Sequence, residues 1–272
     1  MASYIQVTIN NINTEQSEIL IALLADAGYE GFEEGEWFLS AFIDENDFNE
    51  TLLKDVLAPY QLSFSKGLIA EKNWNGEWEK NFDPVIVDNF CAVRAGFHQT
   101  VTTVQHEIII TPKMSFGTGH HATTYMMMKN MGTIDFKNKS VLDFGTGTGV
   151  LAILAEKLGA KGIHAIDNDE WSITNAKENV ANNHCRHITL ELKDNLSNLP
   201  LFDIVLANIN RNVLMDTMEL ISSIVKTNGL VLLSGFYEDD MEMLNQQAGK
   251  YGLSLENNLI RNRWNSLLFT KN

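Results

Sequence analysis

The sequence predicts a doubly wound α/β domain that is preceded in the chain by a small α+β domain. From Glu107 onward, short apolar segments alternate with helical segments, as a parallel sheet with crossover helices requires. A glycine-rich turn at residues 145–149 directly follows one apolar segment, and Asp167 closes the next one. Both features therefore fall at the carboxyl ends of strands, where doubly wound folds bind their ligands.

Residues 1–70 predict a small domain of the ferredoxin-like type. Ile5, Val7 and Ile9 alternate with polar residues, which is the period of a half-buried strand, and apolar residues from Ile19 to Ala27 recur at helical spacing. The segments that follow complete the order β-α-β-β-α-β, which is the ferredoxin-like order. This order predicts a scaffold and by itself says nothing about chemistry.

Residues 71–100 are predicted as an amphipathic linker, in which Trp74 and Trp78 lie one helical turn apart as packing anchors. Residues 101–272 are predicted as the ligand-binding domain. Its buried strands are predicted at residues 141–144, 163–167, 188–192, 203–208 and 230–234. Two further strands, at 253–260 and 264–269, are separated only by a brief turn, which predicts a terminal hairpin.

The negative charge is concentrated in the predicted small domain. The formal net charge is −15, and residues 1–70 hold twelve acidic residues against two lysines, which gives that segment −10. Such a field repels phosphate backbones and attracts basic partners, so it favours a basic protein over a nucleic acid. An acidic surface that only keeps the protein in solution is the alternative interpretation.

The composition indicates a cytoplasmic protein. The sequence has no apolar run near the roughly 20 residues that span a bilayer, and its first ten residues lack the features of a signal peptide. Its two cysteines, Cys91 and Cys185, are far apart and form neither a disulfide framework nor a metal-ligand motif. We therefore expect no membrane association.

The glycine-rich turn carries the strongest local signal. Gly145, Gly147 and Gly149 let the backbone turn sharply and let a ligand approach it without a Cβ in the way. A dinucleotide fold needs Gly-x-Gly-x-x-Gly, whereas this chain has Gly-x-Gly-x-Gly preceded by Asp143. An acid there would repel a pyrophosphate but would suit the ammonium group of a methionine moiety.

Asp167 lies about 20 residues after the turn, where an acid can accept hydrogen bonds from both hydroxyls of a ribose. An aspartate at the end of a strand can instead cap the following helix, although Asn168 or Asp169 could equally take that role. The glycine turn and the spaced acid together predict a site for a nucleotide-type cofactor.

Asn208 ends the fourth predicted strand, where it could offer its oxygen to a substrate amine or its amide group to the cofactor. The Asn-Pro-Pro-Tyr sequence of enzymes that methylate adenine or planar amides is absent there, which argues against DNA and glutamine substrates. The adjacent His120 and His121 have no carboxylate at ligand spacing, so we expect no metal site.

These residues resemble the ribosomal protein L11 methyltransferases, the PrmA family. The resemblance spans nearly the whole chain and rests on the turn at residues 116–124, the glycine turn with Asp143, Asp167, and Asn208 with its neighbours. The tryptophan-rich segment at residues 74–84 adds to it. Ala122 stands where the family usually has proline, and Asn210-Arg211 replaces small apolar residues.

The resemblance implies a class I methyltransferase with a Rossmann-like domain that uses S-adenosylmethionine (SAM) as methyl donor. It implies that the small domain recognises a ribosomal protein and that a flexible linker lets the catalytic domain reach several amino groups. The residues expected to contact SAM are Thr124, Gly145, Gly147, Asp167 and Asn208. No residue stands out as a catalytic base.

The function expected from this resemblance is methylation of lysine side chains or the N-terminal amine of a basic large-subunit ribosomal protein. We expect a monomer that requires no nucleic acid. The alternatives are a small-molecule or RNA methyltransferase on the same fold and a non-catalytic nucleotide-binding module. The acidic small domain argues against RNA, and the glycine spacing argues against a nicotinamide cofactor.

Overall fold

A computed structural model of the chain describes residues 4–35, 37–69, 83–111 and 121–272. The chain divides into two compact units, residues 1–81 and 82–272. Trp74 and Trp78 of the predicted linker, and residues 116–120 of the histidine-containing turn, lie outside the described residues. The bounds given to the domains and the linker therefore stay a prediction.

The smaller unit has the element order β-α-β-β-α-β that the sequence predicts. Its elements are β1 (Tyr4–Asn10), α1 (Thr14–Asp26), β2 (Gly31–Glu34), β3 (Phe38–Asp44), α2 (Glu50–Leu57) and β4 (Phe64–Ile69). The strands form an antiparallel sheet in the order β2-β3-β1-β4. Val7 and Ile9 of β1 pack with Leu20 and Leu24 of α1 in a closed apolar core.

The larger unit begins with a three-stranded sheet that the sequence did not predict. Its strands are β5 (Val85–Val87), β6 (Cys91–Ala95) and β7 (His106–Ile110), in that order. Because β5 and β6 lie within residues 71–100, the C-terminal part of the predicted linker is folded into this unit.

The main sheet of the larger unit has seven strands. They are β8 (Val141–Phe144), β9 (Ile163–Asp167), β10 (Ile188–Leu192), β11 (Phe202–Asn208), β12 (Val225–Tyr237), β13 (Leu253–Arg261) and β14 (Trp264–Lys271). The helices of this unit are α3 (Ala122–Met131), α4 (Val150–Lys157), α5 (Glu170–Asn182), α6 (Arg211–Ser223) and α7 (Met241–Lys250). None of the helices in the described part of the chain is long and apolar enough to cross a bilayer.

The strand order confirms the doubly wound fold. It reads β10-β9-β8-β11-β12-β14-β13, with β8 to β12 parallel and β14 antiparallel to both of its neighbours. The predicted terminal hairpin is confirmed as β13 and β14. Its two turn residues, Asn262 and Arg263, have φ values of 51° and 65°, as a tight two-residue hairpin turn requires.

Helix α4 holds the two sheets of the larger unit together. All residues from Val150 to Ala155 are buried, because the helix packs on β8 and β9 of the main sheet and on β7 of the three-stranded sheet. A helix that is apolar on every side is stable only inside such a core. The glycine turn that precedes this helix therefore has a rigid C-terminal anchor.

The open edge of β7 is paired with asparagine side chains of α5 and its C-terminal cap. Asn183 accepts a hydrogen bond from the Ile109 amide at 3.0 Å and donates one to the Ile109 carbonyl at 2.6 Å. The Asn179 oxygen accepts from the Thr111 amide at 2.7 Å, and its amide group donates to the Thr148 carbonyl at 2.8 Å. Asn179 thus links the glycine turn to the end of β7.

Asp143 braces the glycine turn from inside the protein. Its side chain is 1% exposed, and Oδ2 accepts hydrogen bonds from the Thr146 hydroxyl at 2.6 Å and from the Ala152 amide at 3.2 Å. Oδ1 has no hydrogen-bond partner among the described residues. Burial therefore raises the pKa of Asp143 to about 6.

Replacement of Asp143 by Asn is expected to change how stability depends on pH. The raised pKa means that the folded protein holds this proton more tightly than the unfolded chain, so ionisation costs stability as pH rises from about 4 to above 6. Relative to Asp143→Asn, the wild type should lose up to about 3 kcal/mol of unfolding free energy between pH 4 and pH 7.

Urea unfolding at several pH values measures this difference. Asp203→Asn is the matched control, because hydrogen bonds from Ser140 and Lys226 outweigh burial and hold the pKa of Asp203 at about 2. Its carboxylate stays ionised across the same interval, so the control difference should be flat. Parallel pH profiles for wild type and Asp143→Asn would contradict the assignment.

Candidate functional site

A cavity of about 400 Å³ opens at the carboxyl ends of β8, β9 and β11. β8 and β11 are adjacent in the sheet although two strands separate them in the chain, so the cavity lies at the topological switch point. Four of the five residues predicted to contact a cofactor line this cavity: Gly145, Gly147, Asp167 and Asn208.

The glycine turn presents bare backbone to the cavity. Gly145 and Gly147 have φ values of +74° and +54°, in the left-handed region that side chains rarely adopt. A Cβ on Gly145 would also lie 2.3 Å from Cγ2 of Ile209, so this position excludes any larger residue on steric grounds. The turn can therefore bring main-chain atoms next to a bound molecule.

Asp167 faces the cavity at the end of β9. Its Oδ2 accepts a hydrogen bond from the Gly147 amide at 2.8 Å, and its Oδ1 accepts one from the Asp169 amide at 3.1 Å. The capping of α5 is done by Asp169, which accepts from the Ser172 amide at 3.0 Å. The carboxylate of Asp167 is thus not used as a helix cap and has lone pairs left for a ligand.

Asn208 is oriented by a neighbour that lies behind the cavity wall. Its Nδ2 donates to Oγ1 of Thr124 at 3.2 Å, whereas its Oδ1 has no hydrogen-bond partner among the described residues. Thr124 is fully buried and does not line the cavity, but the preceding residue, Thr123, does. The contact geometry gives Thr124 a supporting position, and its predicted contact with a cofactor stays a prediction.

Asp143 does not lie where the sequence analysis placed it. The side chain is buried beneath the glycine turn and is not among the residues that line the cavity. All four residues of β8 are buried, and Asp143 therefore lies among core residues while its carboxylate holds the turn. The interaction proposed between Asp143 and a methionine moiety therefore stays a prediction.

The cavity is also lined by Trp264, His121 and Gly235, which the sequence analysis did not predict as site residues. The rings of His121 and Trp264 meet edge to face with 4.6 Å between centroids. His121 begins α3 as its capping residue, and burial lowers the pKa of its imidazole, which favours the neutral form. These residues come from distant parts of the chain and meet through the sheet order, which no local spacing reveals.

The sequence around Gly235 contains a pattern that could have predicted the special position of this glycine. A glycine inside an otherwise apolar strand often marks a bulge or a close backbone approach. Gly235 has φ +102° and lies where the pairing of β12 with β14 shifts register. A Cβ there would be 2.1 Å from the carbonyl oxygen of Ile209, so Ile209 fits between Gly235 and Gly145.

The residues present fit an adenosyl methyl donor. The cavity has the size of a small-molecule site and combines bare glycine backbone, a carboxylate, an amide oxygen without a partner and an indole ring. A carboxylate suits ribose hydroxyls, and the apolar wall suits an adenine ring. Within the described ranges, no group of three or more His, Cys, Asp and Glu residues is placed to hold a metal ion.

Comparison with known proteins agrees with the motifs. The family model described as "Ribosomal protein L11 methyltransferase (PrmA)" matches residues 4–272. The ribosomal protein L11 methyltransferase of Porphyromonas gingivalis is 42% identical over 261 residues, covering 93% of this chain and 90% of that protein. The protein of the same name from Phocaeicola vulgatus is 36% identical over 276 residues and 98% of each chain.

A solved structure supports the same assignment. The crystal structure of ribosomal protein L11 methylase from Lactobacillus delbrueckii subsp. bulgaricus has a TM-score of 0.65 at 30% identity, over 70% of this chain and 99% of that chain. The resemblance stated from the motifs is thereby confirmed, as is the Rossmann-like methyltransferase fold. Sequence identity over nearly the whole length therefore shows that this chain belongs to the ribosomal protein L11 methyltransferase (PrmA) family.

Proposed function

We propose that this chain is a SAM-dependent methyltransferase that modifies amino groups of ribosomal protein L11, on lysine side chains or at the N-terminus. The observation that carries the proposal is the cavity at the switch point, where Gly145, Gly147, Asp167 and Asn208 converge. Family membership indicates SAM as the methyl donor and a ribosomal protein as the substrate.

Asp167 and the glycine turn are the residues that would hold the donor. The carboxylate of Asp167 can accept hydrogen bonds from two vicinal hydroxyls, and the backbone at Gly145 and Gly147 leaves room beside it. When bound, SAM supplies a methyl group on a positively charged sulfur, which a nucleophile can attack. The buried Asp143 holds the turn in shape through its hydrogen bond with the Thr146 hydroxyl.

Asn208 is our candidate for orienting the acceptor amine. A lysine with a pKa near 10.4 is mostly protonated at neutral pH, so the site must favour its neutral form. Ile209 and Trp264 give the cavity an apolar wall, which disfavours the charged form of an amine beside it, and the unpartnered Oδ1 of Asn208 can accept a hydrogen bond from the amine. We assign no general base, and alignment of the reacting groups can contribute on the order of 7–11 kcal/mol.

The smaller unit is our candidate for recognition of L11. Exposed glutamates and aspartates on its surface include Glu33, Glu45 and Asp47, and residues 1–70 carry a net charge of −10. Such a surface attracts a basic ribosomal protein and repels RNA, so we propose that no nucleic acid is required. We further propose that the enzyme acts as a cytoplasmic monomer.

Mass spectrometry of L11 after incubation with the enzyme and deuterated SAM tests the reaction directly. We expect mass increments equal to whole numbers of labelled methyl groups, located on lysine side chains or the N-terminal amine. Two matched controls, one in which ribosomal RNA replaces L11 and one in which SAM is omitted, should give no methylated product. Unmodified L11 beside a methylated RNA or small molecule would contradict the proposal.

Replacement of Asp167 by Ala is expected to weaken SAM binding by about 1–3 kcal/mol, because hydrogen bonds to the ligand and to Gly147 are lost together. Calorimetry measures the affinity, with NAD as a second ligand that should not bind. Asn49→Ala is the matched control, since it removes the cap of α2 and costs about 1 kcal/mol of stability in the smaller unit, which contributes no residue to the lining of the cavity. Equal affinities in wild type and Asp167→Ala would refute this assignment.

Charge reversal on the smaller unit is expected to impair recognition of L11. The double variant Glu33→Lys, Glu45→Lys should raise KM for L11 at least about fivefold at low salt, and the effect should shrink as salt screens the field. Glu219→Lys, Glu256→Lys on the larger unit is the control with the same change in net charge, since both residues are exposed. Equal KM increases for the two variants would show that recognition does not depend on the smaller unit.

A further inference from the structure

A second cavity of about 380 Å³ adjoins the donor cavity. The two cavities share three lining residues, Asn210, Gly235 and Trp264, so they adjoin at these residues. The outer wall of the second cavity includes Tyr237 and the charged residues Arg211 and Asp240, none of which lines the first. The second cavity therefore has its own chemistry.

Its aromatic wall is preassembled. The rings of Tyr237 and Trp264 stack at 4.1 Å between centroids with 29° between planes, and their strands are paired at these residues. His121 contacts Trp264 on the side of the donor cavity. Tyr237 is nevertheless 49% exposed, so its ring presents an accessible apolar surface beside the cavity. Such rings bind alkyl chains and ammonium groups.

Asp240 gives the same cavity a site for a cation. Its Oδ1 accepts a hydrogen bond from Arg211 at 3.0 Å, and the side chain of Asp240 is 18% exposed whereas that of Arg211 is 45% exposed. Arg211 is also bound to Oδ1 of Asn212. The carboxylate is thus fixed in the wall and paired with a cation, and ion pairs with an exposed partner of this kind contribute little stability.

We propose that the second cavity binds the target lysine of the substrate protein on its way to the methyl donor, an inference that rests on the proposed function. The aliphatic stem of the lysine packs against Tyr237 and Trp264, and Asp240 attracts its ammonium group. The amine passes into the donor cavity beside Asn210 and Gly235, which line both cavities. Arg211 competes with the substrate for Asp240.

The opposite roles of Arg211 and Asp240 make the proposal testable by binding. The probe is Nα-acetyl-lysine methylamide, a lysine with capped backbone groups, titrated into the full-length protein and followed by NMR. Asp240→Asn should weaken its binding about fivefold, and Arg211→Ala should tighten it about threefold. If the salt bridge only stabilises the fold, the affinity for the probe should stay unchanged in both variants or change in the same direction in both.

The aromatic wall is tested with the same probe. Tyr237→Ala should weaken binding at least about fivefold, and Tyr237→Phe should keep wild-type affinity because the ring is retained. Leu220→Ala is the matched control, since Leu220 is 41% exposed on α6 and lies outside both cavities. Calorimetric affinity for SAM should be unchanged in Tyr237→Phe, which keeps the ring stacked on Trp264, and in Leu220→Ala.

Steady-state kinetics with L11 separates this proposal from the proposed function. Tyr237→Ala should raise KM for L11 more than it lowers kcat. If L11 is not methylated but the probe binds with the expected pattern, the proposed substrate fails and the lysine site stands. If the wild type does not bind the probe, if Tyr237→Ala binds it unchanged, or if Arg211 and Asp240 variants shift in the same direction, the lysine site is overturned.

Discussion

The close approach of Ile209 to two glycines is the constraint on which the site depends. Ile209 lies where a Cβ on Gly145 or Gly235 would stand, so three chain segments meet at contact distances that side chains would prevent. Because Ile209 is fixed there, Asn208 faces the donor cavity and Asn210 lines both cavities. Both glycines also have positive φ, so sterics and backbone conformation impose the same residue type.

Local signals made part of this site readable in the sequence. The glycine spacing, the acid at the end of β9 and the asparagine at the end of β11 each depend on one strand and its following turn. Strand ends meet in a parallel sheet whatever lies between them, so Gly145, Asp167 and Asn208 could be grouped before the fold was known.

Other parts of the site depend on information that short segments do not contain. Trp264 reaches the cavity only because β14 pairs with β12, and His121 only because α3 begins beside it. The orientation of Asp143 followed from the burial of β8 on both faces, which periodicity does not indicate. The three-residue strand β5 is too short to give a pattern, so its range was assigned to the linker.

The terminal hairpin connects both cavities to the edge of the sheet, because it carries Trp264. β14 is hydrogen-bonded to β12 on one side and to β13 on the other, and it carries Trp264 at the start of the strand. Edge elements open more readily than the centre of a sheet, often without global unfolding. A fraying event that detached this hairpin would remove one wall from both cavities at once while β8, β9 and β11 stayed folded.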